Sequence, residues 1–262
     1  MTVMEPLFPA KKPRTLLFLD TETTGIAEGR LIQIAYQARG KAANDASMRV
    51  EYFKPPVPIE IEAMAVHHIT EKHLAEKPAF DGSDTHAALK ASLSDPGTIL
   101  VAHNAKFDMG ILVREGLPSP AGGFICTMKV AMAMYDLPQY KMQYLRYLWG
   151  IEDDAATAHD AEGDVAILEK VFDHMLAEYM ETGGAGAKGP LTEEAALDAF
   201  IGISKQPLLL RRMTFGQYAG KTFAEVAAAD RGYLQWLSTL KDKGEDFEYT
   251  TQHYLQASEK EQ

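Results

Sequence analysis

Thr15-Leu16-Leu17-Phe18-Leu19-Asp20-Thr21-Glu22-Thr23-Thr24-Gly25 is the stretch that decides the fold. Residues 14–20 are short, apolar and rich in strand formers, which predicts a buried strand. The strand runs into two carboxylates, Asp20 and Glu22, spaced so that an extended chain turns both to one side. Residues 21–30 contain Gly25 and Gly29 and read as a loop. Taken alone, Asp-x-Glu followed by Thr and Gly is also an ordinary strand-to-turn signal, so the pair gains meaning only from what lies elsewhere in the chain.

Outward from this stretch, residues 31–37 and 48–54 alternate as strands, and their short connections favour antiparallel pairing. Pro55, Pro56 and Pro58 end the second of them. Helical spacing over residues 60–68, 84–94, 105–115, 128–135, 142–149 and 160–181 encloses two more apolar strands, 98–103 and 122–127. Strands first, then strand and helix in alternation, predict an α/β fold with a mixed sheet flanked by helices. Gly183-Gly184-Ala185-Gly186-Ala187-Lys188-Gly189-Pro190 is glycine-dense and closes on proline, so residues 182–190 read as a linker. The expected organisation is a tail over 1–13, a main domain over 14–181, and a small C-terminal module over 191–262. That module opens on an N-cap at Thr192 and gathers a small aromatic core.

The bulk properties narrow the class. The chain has 262 residues, 46% of them hydrophobic and 24% charged, enough for a sizeable core. No apolar run reaches the length of a membrane span. One cysteine, Cys126, allows no internal disulfide, which fits a reducing, cytoplasmic setting. A net charge of −11 argues against a non-specific nucleic-acid coat, though not against an enzyme that grips a few nucleotides.

Two further segments deliver acids to the edge of apolar segments: His103-Asn104-Ala105-Lys106-Phe107-Asp108 and His159-Asp160-Ala161-Glu162-Gly163-Asp164. Each acid has a plain reading. Asn104 suits a helix N-cap, Asp108 suits a first helical turn, and His159 suits a surface loop. Yet Asp108 lies beside the apolar stripe of Phe107, Ile111 and Leu112, and Asp164 shares a helix stripe with Ile167, Leu168 and Val171. A carboxylate in such a place needs a partner. Three separate segments converging in this way predict a shared pair of hard divalent cations, an arrangement suited to phosphodiester cleavage. His159 then stands where an imidazole takes a proton from an attacking water. The groups of Thr23, Thr24 and Gly25 are placed to hold a terminal sugar and phosphate.

The order of these motifs resembles the DEDDh class of 3′–5′ exonucleases. The segment Ala63-Met64-Ala65-Val66-His67-His68-Ile69-Thr70 extends the likeness. Beyond the linker, Phe215-Gly216-Gln217-Tyr218-Ala219-Gly220-Lys221 and Gly232-Tyr233-Leu234-Gln235-Trp236-Leu237 resemble the module carried by a bacterial exodeoxyribonuclease branch of that class. The resemblance implies an RNase H-like sheet, two Mg²⁺ or Mn²⁺ ions, and stepwise removal of 5′-mononucleotides from DNA, with single-stranded 3′ ends preferred and a duty in DNA repair or turnover. It implies Asp20, Glu22, Asp108 and Asp164 as metal ligands and His159 as general base. Thr23, Gly25 and Ile26 would meet the terminal nucleotide, with His103 and Asn104 also on the substrate side. The rival expectations are an exoribonuclease, a polymerase proofreading subunit, and a non-catalytic DNA-binding scaffold that kept the fold.

Overall fold

Strand β1 (Thr15–Thr23) runs past the point where the apolar residues stop, because β2 (Leu31–Arg39) pairs with it antiparallel along almost its whole length. Leu16 faces Arg39, Asp20 faces Ala35 and Glu22 faces Gln33, with an irregularity only at Glu22/Thr23. Residues 21–23 are therefore strand, which corrects the expected loop. The β-branched Thr21 and Thr23 take up sheet pairing once a partner strand is present. The computed structural model describes residues 14–40, 47–151, 161–184, 189–240 and 243–260, with side chains of 257–260 set aside.

The strand β3 (Arg49–Tyr52) pairs antiparallel with β2. After it come three helices, α1 (Ile61–His67), α2 (Glu71–Leu74) and α3 (Asp84–Ser94). The chain then enters β4 (Thr98–Ala102), which pairs parallel to β1 from Thr15↔Thr98 to Phe18↔Val101, and α4 (Ala105–Arg114) follows directly. With β5 (Phe124–Cys126), the sheet has five strands in the order β3-β2-β1-β4-β5. This is the mixed sheet the sequence predicts. Along β1 the pleat sorts the side chains. Leu17 and Leu19 join Ile34, Tyr36, Leu100, Leu89, Leu93, Ile111 and Leu112 in one buried cluster, so this face of the sheet is packed against α3 and α4.

The later helices are α5 (Thr127–Met134), α6 (Met142–Leu148), α7 (Ala161–Thr182), α8 (Glu193–Lys205), α9 (Phe223–Ala229), α10 (Arg231–Leu237) and α11 (Glu245–Lys260). Thr192 caps α8 as expected, its hydroxyl accepting the Ala195 amide at 3.2 Å. The described residues fall into two compact units. One takes residues up to Ile125 together with Ile151–Lys170, and the other takes Cys126–Gly150 together with those from Val171 onward. In the second, Met213, Phe223, Val226, Leu234, Leu237 and Phe247 pack together, with Phe215, Tyr218, Tyr233 and Tyr254 against them. The expected aromatic core of the C-terminal stretch is this cluster. Among the described residues no helix is long and apolar enough to cross a membrane.

Candidate metal and nucleic-acid site

Pairing between β1 and β4 ends at Phe18↔Val101, so Asp20 and Glu22 project beyond the carboxyl end of the parallel pair, where β4 gives way to α4. Crevices outside such strand ends are the usual ligand sites of α/β sheets. The two carboxylates share one side of β1. In the first turn of α7, Asp164 is buried and joins them: Asp20, Glu22 and Asp164 each offer an oxygen, and these oxygens all lie within 4.8 Å of one another.

Asp108 sits in the first turn of α4 and is also buried. It accepts a hydrogen bond from the Thr21 hydroxyl at 2.8 Å. Thr21 alternates with Asp20 and Glu22 along the strand, which explains why Asp108 lies beside the three-carboxylate group rather than within it. Asp108 is nevertheless first among the neighbouring charges that act on Asp20. Burial, then the charges of Asp108, Asp164 and Glu22, push the Asp20 carboxyl well above the usual aspartate value. Burial likewise raises Asp108, with the Thr21 hydrogen bond pulling the other way.

An aspartate whose proton affinity is raised by burial and by three neighbouring acids is an expensive arrangement for a metal-free protein. The donor set of these four acids is wholly carboxylate oxygen, which suits a hard divalent cation and not a soft one. The residues present therefore fit the metal site expected from the sequence.

The other expected residues are distributed around this cluster. The Thr23 hydroxyl donates to the Gly25 carbonyl at 2.8 Å, so its remaining hydrogen-bonding capacity is that of an acceptor. At Gly25 an added Cβ would run into the Glu60 carboxylate, so the close approach that glycine permits is that of Glu60. Ile26 is 83% exposed. His103 is half-buried, and Asn104 is exposed at the N-cap position of α4. Asn104 takes left-handed backbone angles (φ 64°) and makes no side-chain cap, unlike the ordinary capping alternative. His159 lies outside the described residues.

Sequence reasoning missed two supports. Thr21 shares the Asp-Thr-Glu triplet, but nothing local reveals its bond to Asp108. His67, which carried no assigned role, is buried at the end of α1 with Nδ1 accepting the Ile69 amide at 2.9 Å. That leaves Nε2 to carry the proton and donate to the Thr23 carbonyl at 3.2 Å, fixing the end of β1.

Known proteins match this arrangement along the chain. A family model described as Exonuclease matches residues 17–172, and one described as Exodeoxyribonuclease X-like C-terminal matches residues 213–239. Exodeoxyribonuclease 10 of Escherichia coli (strain K12) is 33% identical over 247 residues, covering 92% of this chain and 99% of that protein. The DNA polymerase III subunit epsilon of Pasteurella multocida (strain Pm70) is 30% identical over 63% of this chain and 69% of its own length. A solved structure of Exonuclease X in complex with 5′ overhanging duplex DNA superposes with a TM-score of 0.50 at 22% identity, covering 72% of this chain and 99% of that one. That likeness is one of fold, the RNase H-like mixed sheet. On the match along its length and the acids it brings together, this chain belongs to the exonuclease family, in the branch that carries the exodeoxyribonuclease X-like C-terminal domain.

Proposed function

We propose that this chain is a divalent-metal-dependent 3′–5′ exodeoxyribonuclease that releases 5′-mononucleotides from DNA 3′ ends, with Mg²⁺ or Mn²⁺ as the ions. The observation that carries the reading is the convergence of Asp20, Glu22 and Asp164 from β1 and α7, with Asp108 of α4 acting on Asp20. The catalytic domain is assigned to residues 14–181 and the accessory module to 191–262. A match spanning both parts favours this over a proofreading subunit, since the polymerase subunit matches only 63% of the chain. The single cysteine supports a cytoplasmic setting.

Asp20, Glu22, Asp108 and Asp164 hold the ions. Bound there, a pair of divalent cations supplies charge neutralisation to an in-line displacement at phosphorus. His159, five positions before Asp164 in the chain, takes the proton of the attacking water. The Thr23 oxygen accepts from the terminal sugar. Ile26 meets the terminal base and unstacks it, which favours single-stranded or frayed ends. His103 and Asn104 line the same substrate side.

The test is release of labelled nucleotides from single-stranded DNA, duplex DNA and RNA, with Mg²⁺, Mn²⁺ or EDTA. The expected result is metal-dependent 5′-mononucleotides from DNA 3′ ends, lost on Asp20→Ala. Cleavage that survives EDTA, or faster hydrolysis of RNA than of DNA, overturns the reading.

A further inference from the structure

The loop that follows the Asp20–Glu22 pair is closed on itself. At its neck the Thr24 amide donates to the Arg30 carbonyl at 2.9 Å, and the Arg30 amide donates to the Thr24 hydroxyl at 3.0 Å. From outside, the Glu60 amide donates to the Thr24 carbonyl at 2.8 Å. Inside, a Cβ on Gly29 would collide with the Gly25 carbonyl, so the two strands of the loop touch. At the tip stands Ile26, the most exposed large apolar side chain among the described residues, at 83%.

One exposed isoleucine is ordinary in itself. What is unusual is how its flank is tied down. Arg114, the last residue of α4, sends Nη1 to the Gly29 carbonyl at 2.7 Å and Nη2 to the Ala27 carbonyl at 3.3 Å. A fork of donors spanning two carbonyls fixes direction as well as distance. The Arg114 contact to Glu28 at 3.9 Å adds little, because Glu28 is almost wholly exposed. Glu115, next along, grips Arg30 at the neck with two hydrogen bonds of 2.7 and 2.8 Å. The helix that holds Asp108 at its start thus holds the Ile26 loop at its end.

We propose that Arg114 is a positioning residue that lets the chain attack paired ends as well as frayed ones, by locking the Ile26 tip at a fixed separation from the acid cluster. The inference rests on the exonuclease reading. Separating and unstacking a terminal base pair costs a few kcal/mol, and a loop that yields cannot deliver that push. A single strand and a mononucleotide ester have no terminal pair to separate, so neither asks for such a push. Arg114 touches neither the acids nor a reacting atom, so its removal leaves the chemistry of the acid cluster in place.

The experiment compares wild type, Arg114→Ala and Arg114→Lys on a blunt duplex, a single strand and the p-nitrophenyl ester of thymidine 5′-monophosphate, all with Mg²⁺. For Arg114→Ala, kcat/KM on the duplex is expected to fall about tenfold, while the single strand and the ester stay within about twofold of wild type. Arg114→Lys, which reaches one carbonyl at a time, falls between. Unchanged activity on the ester shows that the variant is folded. Equal losses on all three substrates, or no loss on the duplex, overturn the proposal. A wild-type chain that degrades the single strand but not the blunt duplex overturns it while leaving the exonuclease reading standing. A chain that degrades neither DNA overturns both.

Discussion

Glu115 and Asp20 are carboxylates of the same compact unit, and the fold treats them in opposite ways. Glu115 accepts both guanidinium bonds of Arg30 and the Leu31 amide at 3.1 Å. Burial alone would raise its carboxyl, but Arg30 and the Leu31 amide outweigh burial and hold it below the ordinary glutamate value. Asp20 has Asp108, Asp164 and Glu22 for company and is raised. Where a buried carboxylate is given its counter-charge by the chain, it serves structure. Where the chain instead crowds further acids around it, as at Asp20, the arrangement suits an external cation as the counter-charge.

The largest effect follows from breaking the acid side of this contrast. Asp20→Asn is expected to lower metal-dependent nucleotide release by at least about 10³-fold, or ~4 kcal/mol of transition-state stabilisation. It is also expected to raise the melting temperature of the protein in EDTA, because it removes a charge that its neighbours repel. Raised carboxyls keep protons in the folded state that the unfolded chain has already released. Folding therefore takes up protons above the ordinary aspartate range, and this stability, fully present at low pH, is lost as pH rises through the raised values. Melting of the wild type in EDTA should thus show a component that declines as pH rises and that is reduced in Asp20→Asn. Thermal melts across pH, with and without Mg²⁺, check both parts. Retained Mg²⁺-dependent release by the variant would sink the assignment of Asp20.

The two halves of the contrast were unequally legible in the sequence. Acids at the edge of apolar segments stand out, because burial makes an unpaired charge conspicuous. The strand beneath them was placed correctly at its start. Its end was misread because Thr21-Glu22-Thr23 looks like turn chemistry until the β2 partner is known. Asp108 was legible as an acid beside an apolar stripe, whereas its Thr21 donor, 87 positions away, was not. Arg30 and Glu115 lie 85 positions apart, and no periodicity links residues at such a range. Arg114 was invisible for the same reason: its partners are backbone carbonyls, which carry no residue-type signal.

Breaking the compensated side should produce a smaller and different effect. Arg30→Met leaves the Glu115 carboxylate buried with its guanidinium partner gone, and should cost about 2 kcal/mol of stability, below the full range for a buried pair because Arg30 is itself 30% exposed. The pH dependence has the sign opposite to that of Asp20. A depressed carboxyl contributes stability above the ordinary glutamate value, and that contribution is lost as pH falls through the lower folded value. Wild type should lose this component below about pH 4, and Arg30→Met should lack it. Chemical denaturation at neutral and acid pH measures both. If Arg30→Met were as stable as wild type at neutral pH, the ion pair would not be holding this part of the fold.

The smallest effect sharpens the contrast by keeping geometry and changing burial. Arg212 meets Asp136 through Nε and Nη2 at 3.0 Å each, a two-pronged contact like that of Arg30 and Glu115, and it also donates to the Gly220 carbonyl. Here the side chains are 45% and 38% exposed. The Arg212 hydrogen bonds hold the Asp136 carboxyl below its ordinary value, yet water solvates both partners once they separate. Arg212→Ala is therefore expected to leave the denaturation midpoint unchanged within error at low and high salt, while Arg30→Met moves it clearly. Equal shifts in the two variants would mean that the fork itself, and not the exclusion of water around Glu115, decides what an ion pair contributes in this protein, and the reading of the acid cluster as a burial-driven metal site would lose its physical premise.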